Sequence, residues 1–262
     1  MCLVLIAYRM HPRYPLVLAA NRDEFHARTA APMHWWSDGS PVLAGRDLQA
    51  GGTWCGLDSH GRLALVTNYR DPSLPKPQGS SRGALVTAFL RGATSARQYV
   101  QDAAASADRY AGFSLLAMDD SSLGYAISHP EPGAWMLEPG IYGLSNHRLD
   151  APWPKLVRSR ARFEREVAHG DPVPARLFDI LSDRAVADDA ALPDTGIGLE
   201  WERLLSSPFI VSPEYGTRSS TVVLIDRQQR VSIEEQSYAS DGEMTIRVRM
   251  SFQSLSGAWD CR

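Results

Sequence analysis

The chain has 262 residues, 44% of them apolar and 22% charged, with a net charge of −3 at pH 7. That balance belongs to a globular protein with a substantial core, and it offers no basic surface for nucleic acid or an acidic membrane. No stretch approaches the ~20 apolar residues of a membrane-spanning helix, and the three scattered cysteines, Cys2, Cys55 and Cys261, do not make a disulfide framework or a Cys-only zinc site and suit a reducing cytoplasm.

In chain order, Cys2–Tyr8 and Pro15–Ala20 are β-rich runs joined by the turn-forming HPRYP, which predicts a hairpin. The first apolar run is short and lacks a basic leader, so it is not read as a signal peptide. A polar loop is expected after Ala20, with Asn21-Arg22-Asp23-Glu24 at the hairpin exit, and a second hairpin over residues 55–68, turning at SHGR. Residues 71–81 form a Pro/Gly/Ser-rich loop, with Ser81 placed to cap a helix through Ala84–Leu90 and a second helix over 95–106. Strands are expected at 113–118, 122–127, 134–137 and 140–145. Helical spacing returns at 154–168, opened by Pro154, and at 175–181, while 185–207 reads as irregular. Three strand-like runs close the chain at 219–226, 230–238 and 244–252. No repeat or composition break divides it, so one α+β domain over 1–262 is predicted, its helices packed outside a sheet assembly.

The candidate chemistry gathers at strand ends. Cys2 becomes the first residue if Met1 is trimmed, which a small second side chain favours; thiol and α-amine then share one residue as nucleophile and base. Their ordinary pKa values, about 8.5 and about 7.7–8.0, make proton transfer between them nearly balanced. By position alone Cys2 is equally a small apolar residue opening a strand. Arg22, at the end of the adjacent strand, is placed to favour thiolate or to hold an anionic group, or else forms a local pair with Asp23. Asn68 and Asn146 each end a strand, where a carboxamide serves as an oxyanion donor or simply as a turn residue. Arg218, in Gly216-Thr217-Arg218-Ser219-Ser220-Thr221, is a second clamp or a surface arginine. Gly51-Gly52-Thr53-Trp54 lets backbone approach a pocket walled by Trp54, or forms a bulge. Asn21, Glu24, Trp54, Tyr69 and Thr217 are the expected substrate contacts. The seven histidines show no metal-ligand spacing, and neither HExxH nor CxxC occurs, so no metal is expected.

The segments MCLVLIAY, LAANRDEF, GGTWCGL, GRLALVTNYRD, YGLSNHRLDAPWPK and YGTRSSTVVLID, in that order over nearly the whole chain, resemble the NRDE family, which includes the transport and Golgi organisation protein 2 group. The resemblance extends to the N-terminal-nucleophile hydrolases and implies a four-layer αββα sandwich. Compared with the cholylglycine hydrolase and penicillin V acylase group, Cys2 matches the nucleophile, Arg22 the arginine on the second strand, Asn68 and Asn146 the asparagines near the oxyanion, and Arg218 the late arginine. One position departs: an aspartate expected three residues after the arginine is Phe25 here, leaving Asp23 or Glu24 as partner of the terminal amine. Two functions follow. One is amidohydrolase or acyltransferase action on a small amide or thioester, with no cofactor required. The other is a non-catalytic carrier that holds haem or an acyl conjugate in the same cleft.

Overall fold

The computed structural model describes residues 2–74 and 79–255; Cys261 and residues 75–78 of the predicted loop lie outside the described residues. Two antiparallel sheets stack face to face. The first, in spatial order, contains β10 (Gly140–Leu144), β1 (Cys2–Tyr8), β2 (Leu16–Phe25), β11 (Tyr215–Ile225), β12 (Arg230–Tyr238) and β13 (Met244–Gln253). The second runs β3 (Ala30–Trp35), β4 (Val42–Asp47), β5 (Cys55–Asp58), β6 (Leu63–Asn68), β7 (Phe113–Met118), β8 (Leu123–Ile127) and β9 (Gly133–Leu137).

Strand alternation sets the layers. In β1 and β2, Val4, Ile6, Tyr8, Leu16, Leu18 and Ala20 face the second sheet and pack there on Leu57, Leu65 and Leu116. The intervening Leu3, Leu5, Ala7, Val17 and Ala19 face the opposite way. They are covered by α3 (Pro154–Ala168) and α4 (Pro174–Leu181) through Leu156, Phe163, Leu177 and Leu181. The outer face of the second sheet is covered likewise by α1 (Arg82–Arg91) and α2 (Ala96–Ala105), through Leu85, Phe89 and Val100. The result is the expected αββα sandwich, with β1, β2, β6, β7 and β8 buried on both faces and the edge strands β3, β9 and β13 partly exposed.

Four sequence expectations are corrected. Asn21–Glu24 does not leave the hairpin as a loop: β2 continues to Phe25, because β1 pairs it as far as Arg22 and β11 as far as Phe25. The segment after it holds β3 and β4. Pro32, which masks the strand pattern, is tolerated because β3 is a sheet edge, and the register slips between Ala31 and His34. Thr217–Thr221 is strand, with a bulge between Thr217 and Ser219 that sets Arg218 apart from the ladder. The acidic 185–207 region contains a short α5 (Leu199–Leu205), whose seven residues are too short a run to display a helical period.

Candidate active site

Register places the nucleophile candidate. Cys2 pairs directly with Arg22 across the β1–β2 ladder, so both side chains point into the space between the sheets. Two tethers fix the Cys2 backbone: its nitrogen donates to Asn146 Oδ1 at 3.0 Å, and its carbonyl accepts from Ser145 Oγ at 3.0 Å. Asn146 is fully buried and left-handed, with φ 53°, a conformation asparagine tolerates better than most residues. Its Nδ2 donates to the Asn68 carbonyl at 3.2 Å, and its own carbonyl accepts the Arg70 amide at 2.7 Å. One carboxamide thus ties the start of β1 to the end of β6 in the other sheet.

A cleft of about 250 Å³ opens here, lined by Cys2, Arg22, Glu24, Trp54, Asn68 and Arg82 among others. The Arg22 guanidinium lies 4.1 Å from the centre of the Trp54 ring. That ring needs Gly45: a Cβ there would sit 2.4 Å from it. The neighbouring backbone also depends on glycine, since a Cβ on Gly52 would meet the Gly83 carbonyl carbon at 2.7 Å; this close approach brings the first turn of α1 to the cleft wall. Arg28 is held by Asp47 at 2.7 Å and lies 4.0 Å from Glu24. Arg22 is only 6% exposed, yet among the described residues no acceptor hydrogen-bonds its guanidinium. Burial pulls its pKa down, while Glu24 and Cys2 pull it back up; an arginine stays cationic through such shifts.

The Cys2 thiol is pushed up by burial and by the Asp23 carboxylate, while a hydrogen bond from the Asp23 amide and the charge of Arg22 pull it down. The net direction is upward, so the resting thiol keeps its proton and needs a base.

Asp23 points to the opposite face of β2 from Arg22 and is 1% exposed. Its Oδ1 accepts from Thr217 Oγ1 at 2.7 Å, and Thr217 Oγ1 in turn accepts the Ile210 amide at 2.9 Å. Burial raises the Asp23 pKa; the charge of Lys155 is the largest influence holding it down. Nearby, Arg70 and Glu202 form a buried ion pair at 2.6 Å, with the Arg70 guanidinium 4.4 Å from the centre of the Trp153 ring.

Cys2, Arg22, Asp23, Glu24, Trp54 and Asn68 therefore line one cleft, with Asn146 directly behind it. Arg218 lines an adjoining cavity of about 200 Å³ that shares Arg22 and Trp54 as its wall, and its Nη1 donates to the carbonyls of Phe25 (3.3 Å) and His26 (3.0 Å). Asn21 lies in the core, donating to the carbonyls of Leu181 and Pro208. Tyr69 stacks on His147 and hydrogen-bonds it at 2.9 Å, away from the cleft lining. Thr217 reaches the site only through Asp23. Sequence reasoning missed Arg82, Lys155, Arg70 and Glu202. Of these, Lys155 carried a signal, being one of two lysines in an arginine-rich chain. Among the described residues no group of three His, Cys, Asp or Glu is arranged to hold a metal, and no helix is long and apolar enough to cross a membrane.

This architecture is that of the N-terminal-nucleophile hydrolase fold. It superposes on a Caenorhabditis elegans N-acylethanolamine-hydrolyzing acid amidase ortholog (TM-score 0.52, 9% identity, 85% of this chain and 92% of that one). It superposes equally on the C2A mutant of conjugated bile acid hydrolase from Clostridium perfringens (TM-score 0.52, 9% identity, 95% and 92%). At such identity the likeness is one of fold. Sequence goes further: the chain belongs to the Transport and Golgi organisation 2 family, whose model matches residues 1–240. It is 36% identical to the Bos taurus Transport and Golgi organization protein 2 homolog and 34% identical to the Homo sapiens homolog, covering 90% of this chain and 93% of each relative.

Proposed function

We propose that this protein is a cysteine amidohydrolase or acyltransferase acting on a small polar amide or thioester, with Cys2 as nucleophile once Met1 has been removed. The observation that carries this reading is the placement of Cys2 in a charged cleft with its nitrogen fixed by a buried carboxamide at 3.0 Å. A terminal nitrogen held in that way is oriented to take the proton of its own thiol.

The thiol proton passes to the α-amine as sulfur bonds to the substrate carbonyl carbon. The carbonyl electron pair moves to oxygen, where the Asn68 side chain and the second Nδ2–H of Asn146 act as neutral donors. Collapse breaks the C–N or C–S bond, and the amine returns the proton to the leaving group. Water, or an acceptor amine, then releases the acyl group from sulfur, again through the α-amine. Arg22, desolvated and short of acceptors, binds a substrate oxygen or carboxylate.

The carrier reading finds less support in the cleft. Among the described residues lining this cleft only Ala50, Trp54 and Val66 are apolar, whereas a haem macrocycle or a long acyl chain needs apolar walls.

The test is intact mass spectrometry of the purified chain before and after incubation with p-nitrophenyl acetate. Loss of Met1, with a single acetyl adduct that is absent from Cys2→Ala, is expected. Retention of Met1, or an adduct that persists in Cys2→Ala, overturns the reading.

A further inference from the structure

Lys155 opens α3 immediately after Pro154 and is 1% exposed. Its Nζ has no hydrogen-bond partner among the described residues, and neither does the hydroxyl of Ser159 one turn along. An ammonium buried in this way is costly unless opposite charge stands close by. The charges that act on it are Asp23, Arg70, Cys2 and Glu202. Burial pulls it down to about 8, with Asp23 the foremost influence holding it up.

The groups around it come from every neighbouring element. β1 contributes Cys2, β2 contributes Asp23, and β11 contributes Tyr215 and Thr217, of which Tyr215 feels both Asp23 and Cys2. The segment after β6 contributes Arg70, with His147 beyond it, and α5 contributes Glu202. The titratable groups of α4 meet only the distal part of α3, Arg176 facing Glu166 and the Asp179 backbone facing Arg162.

Charge counting gives this cluster a function. Asp23 and Glu202 supply two negative charges, and Arg70 and protonated Lys155 supply two positive ones. Those four groups are neutral before the Cys2 α-amine is counted, and on the cleft side Arg22, Arg82 and Glu24 add a net positive charge. A protonated amine would add an uncompensated positive charge in a region shielded from water.

We propose that Lys155 is a positioning residue that holds the Cys2 α-amine in its free-base form by occupying the charge of Asp23. The inference rests on the reading of Cys2 as a terminal nucleophile. It adds that the lysine behind the sheet, which touches no substrate, decides whether the base is ready. Without its charge, Asp23 pairs with an ammonium at Cys2, and that nitrogen can no longer accept the thiol proton.

The experiment uses the chain with Cys2 made the first residue by site-specific cleavage of a fusion, so that its outcome does not depend on trimming in the cell. Trace labelling with acetic anhydride across pH 5–10 titrates the α-amine, with Cys2 blocked beforehand at sulfur by methyl methanethiosulfonate. Lys155→Met is expected to raise the amine midpoint by about one pH unit or more, a tenfold loss of free base at neutral pH. Lys155→Arg is expected to restore it. Asp23→Asn, with Lys155 intact, is expected to lower it, and this keeps the test available if Lys155→Met fails to fold. Midpoints unchanged in folded Lys155→Met, or in Asp23→Asn, overturn the inference. Failure of Cys2 to form an acyl adduct while these shifts occur overturns the enzyme reading alone.

Discussion

Replacing Asn146 by alanine tests how the nucleophile is held. The substitution removes the acceptor of the Cys2 nitrogen and the donor to the Asn68 carbonyl, bonds of 3.0 and 3.2 Å at a fully buried side chain. A buried polar group deprived of its partner costs about 1–3 kcal/mol, so the two lost bonds cost about 2–6 kcal/mol. Holding alanine at φ 53° adds about 1–2 kcal/mol. Against a typical total stability of about 5–15 kcal/mol, the variant is expected to melt about 6–16 °C lower, at roughly 2 °C per kcal/mol for a chain of this size. Asn146→Gly loses the same hydrogen bonds without the strain and is expected to melt above Asn146→Ala by about 2 °C or more. Thermal melts followed by circular dichroism measure both variants, and acetyl-adduct formation on the Cys2-terminated chain is expected to fall in each. A melting point of Asn146→Ala within about 2 °C of the parent would refute the claim that this side chain fastens β1 to β6. A glycine variant no better than alanine would refute the strain contribution.

Two further outcomes follow from the buried charges. Glu202→Gln leaves the Arg70 guanidinium without its 2.6 Å carboxylate and is expected to cost about 3 kcal/mol in urea unfolding, whereas the double variant Arg70→Met/Glu202→Met is expected to cost less, because neither partner is left behind as a buried charge. Glu235 is pushed up to about 7 from 4.5, chiefly by burial. A raised carboxyl contributes stability that is fully present below pH 4.5 and lost as pH rises through about 7, up to about 3 kcal/mol. Urea unfolding at pH 5 and pH 8 is expected to show this loss in the parent and a flatter response in Glu235→Gln.

The sequence disclosed the front of the site better than its back. Cys2 and Asn68 stand at strand ends and Arg22 lies opposite Cys2 within β2, where two-residue alternation makes side-chain direction readable, and they line one cleft. Helix α3 was legible in full from Pro154 and its apolar spacing. The network behind β2 was not. Lys155 occupies a helix position that reads as solvated, and Glu202 lies in a segment without a clear period. Only the crossing of α3, α5 and the chain after β6 brings them to Asp23. Arg218 shows the reverse limit: its motif was visible, but the bulge that turns it into the adjoining cavity is a register slip that no local pattern encodes. Asn21 and Tyr69 have the polarity of ligand contacts, yet Asn21 hydrogen-bonds core carbonyls and Tyr69 pairs with His147.

The carboxamide bridge at Asn146 has a consequence for how such a protein can change. Because Cys2 belongs to one sheet and the Asn68 carbonyl to the other, the Asn146 side chain serves as an alignment pin between the two halves of the sandwich. Any repacking of the layer between them, such as a larger side chain at Leu65 or Leu116, shifts one end of the pin against the other. The setting of Cys2 is therefore tied to the spacing of the sheets.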